Sequence, residues 1–66
     1  MAVGTVKWFS DMKGYGFIAQ ENGNEVFVHH SRIQGDGYRT LHEGDRVEFE
    51  EVTSEKGKEA TDVTRI

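Results

Sequence analysis

Two short runs constrain this chain more than any other feature: Lys13-Gly14-Tyr15-Gly16-Phe17-Ile18 and, with Phe27 ten residues after Phe17, Val26-Phe27-Val28-His29-His30. In both, aliphatic or small residues alternate with rings. Successive side chains of a strand point to opposite faces, so Gly16, Ile18, Val26 and Val28 fall on one side. Tyr15, Phe17, Phe27 and His29 fall on the other.

The register between the runs follows from parity. A two-residue turn at Asn22-Gly23 would oppose Phe17 to Val28 and mix the faces, whereas directly opposed residues share a face. A three-residue loop, Glu21-Asn22-Gly23, with Gly23 in the left-handed position, opposes Phe17 to Phe27, Tyr15 to His29, Ile18 to Val26 and Gly16 to Val28. Large apolar residues are usually core. Here, however, the ring-bearing side also carries Glu25 and His29, while the aliphatic side carries no polar group. The narrow interior of a small closed sheet suits Val, Ile and Gly better than a row of rings. The rings are therefore expected outside.

Sixty-six residues make one domain spanning 1–66. A chain of this size buries only about 60 % of the surface it exposes when unfolded, which leaves one layer of core and no deep pocket. There are no cysteines, hence no disulfides and no thiolate metal sites. With no apolar amino-terminal run, this points to a cytoplasmic protein. No segment is apolar enough to span a membrane. The net charge of −4 argues against a general polycation for duplex DNA. The acids are unevenly placed: residues 1–39 hold four basic and four acidic side chains, residues 40–66 four basic and eight acidic.

Residues 2–10 read as a first strand rich in Val, Thr and aromatics. Strict alternation would turn Trp8 inward with Val6; a bulge near Lys7-Trp8-Phe9 would turn it out, and this strand alone leaves both open. Asp11 to Gly14 form a polar turn. Ser31-Arg32-Ile33 is expected to make one helical turn capped by Ser31, with Ile33 tucked under the sheet. Gln34 to Thr40 is a loop by its glycines. Tyr38 at its tip, beside Arg39, either packs on the loop base or is free to bind. Leu41 is core and Glu43-Gly44-Asp45 a turn. Residues 46–53 form a fourth strand with Val47 and Phe49 inward and a phase shift at Glu51-Val52 that suggests a bulge. After the polar turn Ser54 to Lys58, Ala60 to Ile66 form the last strand, with Val63 inward. Glu48, Glu50, Glu51, Glu55 and Glu59 read as a solvated acidic face. Five short strands without a long helical pattern predict an all-β chain, a small antiparallel barrel.

The first run is similar to the first ribonucleoprotein motif, Lys/Arg-Gly-aromatic-Gly/Ala-Phe-aliphatic, and Val26 to His30 resembles the second. With Gly4-Thr5-Val6-Lys7-Trp8-Phe9 before them and Leu41 to Phe49 behind, the chain resembles the bacterial cold-shock proteins from Val3 to about Glu50, and more loosely beyond. The resemblance implies a five-stranded antiparallel OB-fold barrel that binds single-stranded RNA or DNA without catalysis or cofactor, as an RNA chaperone or transcription antiterminator. It carries stacking roles to Trp8, Tyr15, Phe17, Phe27, His29, His30 and Tyr38. Polar and basic contacts fall on Lys7, Lys13, Glu25, Arg39 and Lys56. The family more often has phenylalanine where this chain has Tyr15, His30 and Tyr38, and proline where it has Lys58.

The physical basis needs no family. Unpaired bases present flat apolar faces that rings on a rigid sheet can cover at roughly 1–3 kcal/mol per base, with a mild preference for pyrimidine runs. Duplex bases are already stacked on each other. Other readings are weaker. Gly14-Tyr15-Gly16-Phe17-Ile18-Ala19 matches a dinucleotide fingerprint formally, but lacks the helix that must follow. His29, His30 and His42 lack a fourth ligand, and adjacent strand residues face opposite ways. Ser31, His29 and Asp36 lack a pocket and an oxyanion donor. The main alternative is a small barrel that binds a peptide through the same rings. Lys7 and Lys13 beside the rings, with the acids elsewhere, favour a polyanion. Nothing in the acidic second half demands a protein partner, and a monomer is expected.

Overall fold

The computed structural model describes residues 1–34, 40–55 and 57–66. Five strands, β1 (Ala2–Ser10), β2 (Tyr15–Gln20), β3 (Glu25–His29), β4 (Arg46–Ser54) and β5 (Gly57–Arg65), close into a barrel in the order β1-β2-β3-β5-β4. One 3-10 turn, His30–Arg32, follows β3.

The β2–β3 register is the one parity demands, with Tyr15 opposite His29, Gly16 opposite Val28, Phe17 opposite Phe27 and Ile18 opposite Val26. The three-residue loop is present. Gly23 has φ of 90°, a conformation that costs glycine nothing. Gln20 donates its N–H to the Asn24 carbonyl at 2.8 Å, and Asn24 N–H bonds back to the Asn22 side chain at 3.0 Å.

The interior is made by alternation on every strand. Val6, Ile18, Val26, Val28, Val47, Phe49, Ala60 and Val63 are buried, joined by Ile33 and Leu41 from the crossover between β3 and β4. Among the described residues no polar or charged side chain is buried. At Gly16 there is no room between β2 and β1 for a side chain. A Cβ there would collide with the Trp8 carbonyl oxygen and come within 2.7 Å of Phe9 Cα.

Four expectations need correction. The barrel is not antiparallel throughout, because β3 and β5 run parallel, with Phe27 beside Glu59 and Val28 beside Ala60. The reason is topological: strand direction cannot alternate at every step around a closed ring with an odd number of members. The second bulge is not at Glu51-Val52. Glu48 pairs Thr64 while Glu50 pairs Thr61, so the extra residue is on β5, where Asp62 has φ of 52°. Glu51 pairs the inward-facing Ala60 and so keeps the inward phase, and Val52 is simply an outward residue, 41 % exposed. The 3-10 turn begins one residue earlier than expected and is capped by His29, whose Nδ1 accepts the Ser31 N–H at 3.2 Å; Ser31 is inside the turn. The last strand starts at Gly57, three residues before Ala60.

Candidate nucleic-acid interface

The first bulge lies where the sequence permits it and settles the orientation of Trp8. Val6 pairs Ile18, and the next pairs are Trp8 with Phe17 and Phe9 with Gly16. The extra residue, Lys7, shifts the phase of β1 by one. Val6 therefore stays in the core while Trp8 emerges on the outer face, 37 % exposed.

Trp8, Phe17 and Phe27 then stand in one row across β1, β2 and β3, and Tyr15 and His29 form a pair beside it on β2 and β3. Ring centroids are 5.5 Å apart for Trp8 and Phe17, 5.8 Å for Phe17 and Phe27, 5.8 Å for Trp8 and Tyr15, and 5.6 Å for Tyr15 and Phe27. The Trp8–Tyr15 and Phe17–Phe27 pairs meet edge to face and the other two are tilted, so each ring is braced by its neighbours while one side stays open. Tyr15, Phe17, Phe27 and His29 are half-buried. His30 is exposed; its ring lies 4.4 Å from that of His29, and its N–H is anchored on the Gly14 carbonyl at 2.9 Å. The expectation that the rings face outward is met.

The cations are placed less simply. Lys7 sits on the bulge and its Nζ lies 2.6 Å from Glu25 Oε2, both side chains half exposed. Such a surface pair is worth about 0–1 kcal/mol, so a phosphate can replace the carboxylate at low cost. Lys13 is exposed on the β1–β2 turn, where its N–H bonds Ser10 Oγ at 3.2 Å. Tyr38, Arg39 and Lys56 lie outside the described residues. His42, far along the chain from the stacked pair, stands 3.8 Å from Asp45.

One part of the charge pattern read from sequence is overturned. The acids do not all lie away from the rings: Glu25 and Glu59 line a groove of about 460 Å³ together with Phe17, Phe27, Gly57 and Lys58. Neither Lys58 nor Glu59 was singled out from the sequence as part of the site. Their place depends on the parallel register of β5 against β3, which local alternation does not reveal. Lys58 reaches from β5 to Glu51 at 3.1 Å, and Gln20 donates to the other Glu51 oxygen at 2.9 Å. The Gln20 hydrogen bond, followed by Lys58, holds the Glu51 carboxyl below its ordinary pKa of 4.5.

A ring-bearing face on three strands of a closed five-stranded barrel matches a known pattern along nearly the whole chain: residues 2–66 fit the model of the 'Cold-shock' DNA-binding domain. The chain belongs to the cold-shock domain family. It is 60 % identical over 67 residues to the major cold shock protein of Micrococcus luteus, covering all of both chains. It is 58 % identical to the cold shock-like protein CspA of Stigmatella aurantiaca, covering all of this chain and 98 % of that one. To the cold shock-like protein CspLB of Listeria monocytogenes it is 53 % identical, again over the full length of both. Among solved structures, the CSD456 segment of Drosophila Unr superimposes with a TM-score of 0.80 at 21 % identity, covering 98 % of this chain and 26 % of that one. That match shows the shared fold, the OB-type barrel of cold-shock domains. Among the described residues no helix is long and apolar enough to cross a membrane.

Proposed function

We propose that this cold-shock domain, as one unit over residues 1–66, binds single-stranded RNA and DNA by stacking unpaired bases on its outer ring face. The observation that carries this reading is the row Trp8, Phe17 and Phe27, one ring from each of three adjacent strands, open to solvent. Tyr15, His29 and His30 widen the row, and Tyr38 is assigned to it by family resemblance. Lys7 and Lys13 meet backbone phosphates, joined by Arg39 and Lys56 on the same ground.

Binding is favourable because each ring covers a base face that would otherwise meet water, worth roughly 1–3 kcal/mol per base. A duplex has no such faces to offer. Sequence dependence is weak and leans to pyrimidines, which leave their neighbours most cheaply. A surface that holds single strands open without chemistry suits an RNA chaperone or transcription antiterminator. The protein acts in this reading as a monomer in the cytoplasm, without enzymatic activity or cofactor. Peptide binding through the same rings is disfavoured by Lys7 and Lys13 at the margin of the rings, which suit a polyanion.

Trp8 is the only tryptophan and stands in the row, so its fluorescence tests the reading. Titration with oligothymidine, oligouridine and a duplex of equal length is expected to give quenching by the single strands alone. The log-log salt slope should be about 0.7 per phosphate contact. Equal binding of duplex, or no binding of either single strand, would overturn it.

A further inference from the structure

The ring row does not stop at β3. Phe27 pairs Glu59 of β5, and Glu59 pairs Val52 of β4, so the row Trp8, Phe17, Phe27 continues through a carboxylate to an exposed valine. Phe27 is flanked by acids on two sides: Glu25 two residues away on its own strand and Glu59 across the parallel pair. Both line the groove whose apolar wall is Phe17 and Phe27.

The two acids are not equivalent. Glu25 is paired with Lys7 at 2.6 Å. Glu59 has no cationic partner among the described residues: the nearest lysine in the chain, Lys58, turns to Glu51 at 3.1 Å. Among the described residues, Glu59 Oε1 receives only a long bond from Ser54 Oγ, at 3.4 Å. A carboxylate accepts hydrogen bonds and donates none. Next to a polyanion it raises the cost of binding unless the ligand brings a donor to it.

We propose that Glu59 reads the edge of a base stacked on Phe17 and Phe27, favouring one with an exocyclic amino group and hence cytosine over thymine or uracil at that position. This deepens the function proposed above and rests on it. The chemistry is the pairing of a carboxylate with the cytosine N4 amino group. Thymine and uracil present a carbonyl oxygen at the same place, which the carboxylate repels. Glu25, already held by Lys7, closes the other side of the groove. Guanine and adenine also carry amino groups, but their larger rings change stacking at the same time, so the pyrimidine pair isolates the effect.

The probe is a heptathymidine in which one thymidine at a time is replaced by 5-methyldeoxycytidine, which has the outline of thymine and differs in the amino group and ring N3. For the native protein, one position or two adjacent ones should bind about three- to tenfold tighter than the all-thymidine strand, the range of a single charge-assisted hydrogen bond in a half-open groove. Glu59→Gln should erase the difference, because an amide both donates and accepts, and should bind the all-thymidine strand at least as tightly as the native protein. Glu59 is on the surface, and circular dichroism of the variant checks that the barrel persists. Equal affinity at every position while the all-thymidine strand still binds would overturn the inference and leave the proposed function standing. A preference that survives Glu59→Gln would do the same. Failure of the native protein to bind any of the strands would overturn both.

Discussion

The β1–β3 part of the barrel and the β4–β5 hairpin contribute the same kind of interior and different exteriors. Inside, Val6, Ile18, Val26 and Val28 from the first part meet Val47, Phe49, Ala60 and Val63 from the second, all almost fully buried. Outside, the first part presents Trp8, Tyr15, Phe17, Phe27 and His29, while the second presents Glu48, Glu50 and Glu59 among threonines and Val52. Burial of the inward set stabilises both parts alike, so the outward set is free to differ. In the function proposed above, the difference is one of affinity for a polyanion with flat faces, which the rings would attract and Glu48 and Glu50 of the other wall would repel.

The largest effect tests the shared interior. Phe49→Ala should cost about 3–5 kcal/mol. A chain of this length has a total stability of only about 3–10 kcal/mol, so a substantial fraction of the variant should be unfolded at room temperature. Its outward neighbour gives the contrast, since Glu50→Ala should change stability by no more than about 0.5 kcal/mol. Urea denaturation followed by circular dichroism measures both. Similar midpoints for the two variants would remove the distinction between the inner and outer faces of β4.

Next comes the ring row. Phe17→Ala should weaken binding of oligothymidine roughly 5- to 150-fold, the equivalent of about 1–3 kcal/mol for one lost base contact, in a fluorescence titration. Its thermal midpoint should fall by less than that of Phe49→Ala, because Phe17 is only half-buried. If Glu50→Ala weakened binding as much as Phe17→Ala does, the assignment of attraction to one exterior would fail.

A smaller change is expected at Lys7, the cation closest to the row in sequence. Lys7→Ala should reduce the log-log salt slope by about 0.7, one phosphate contact on a single strand. An unchanged slope would mean that Lys7 stays with Glu25 in the complex.

The smallest effect lies in the β4–β5 part, at Glu51 of β4. Its folded pKa lies below the ordinary 4.5, through the Gln20 hydrogen bond and then Lys58. A carboxylate lowered in this way adds stability above the unfolded pKa and loses it as pH falls through the folded one. Between about pH 6 and about pH 3, the native protein should therefore lose slightly more stability than Glu51→Gln. Parallel losses in urea titrations of the two would show that the Gln20–Glu51–Lys58 link contributes nothing measurable.

Local alternation made much of this legible in the sequence. The parity of Phe17 and Phe27 gave the hairpin register, and Glu25 and His29 on the ring side showed which face is exposed. The phase conflict between Val6 and Trp8 marked Lys7-Trp8-Phe9 as the place where a bulge would lie if Trp8 turned outward, although the strand alone did not say which way Trp8 turned. Pairings distant in the chain were less accessible. That some neighbouring pair must run parallel follows from closing five strands into a ring, but no local pattern says that it is β3 and β5, and without that Glu59 could not be placed beside Phe27. The bulge on β5 was hidden because Ala60 and Val63 are three residues apart, an odd spacing that can be read only once both are known to face inward. His29 was read as a ring on the face; that its Nδ1 also caps the following turn depends on a side-chain rotation that strand periodicity does not report.

The most direct measurement is a heteronuclear NMR titration of the isotopically labelled protein with oligothymidine. Binding on the ring face predicts that the largest shift changes fall on Lys7, Trp8, Phe17, Phe27 and His29, with small changes at Glu48, Glu50 and Thr64 on the other exterior. Changes concentrated on the outer face of β4 and β5, with the ring residues unmoved, would contradict the account.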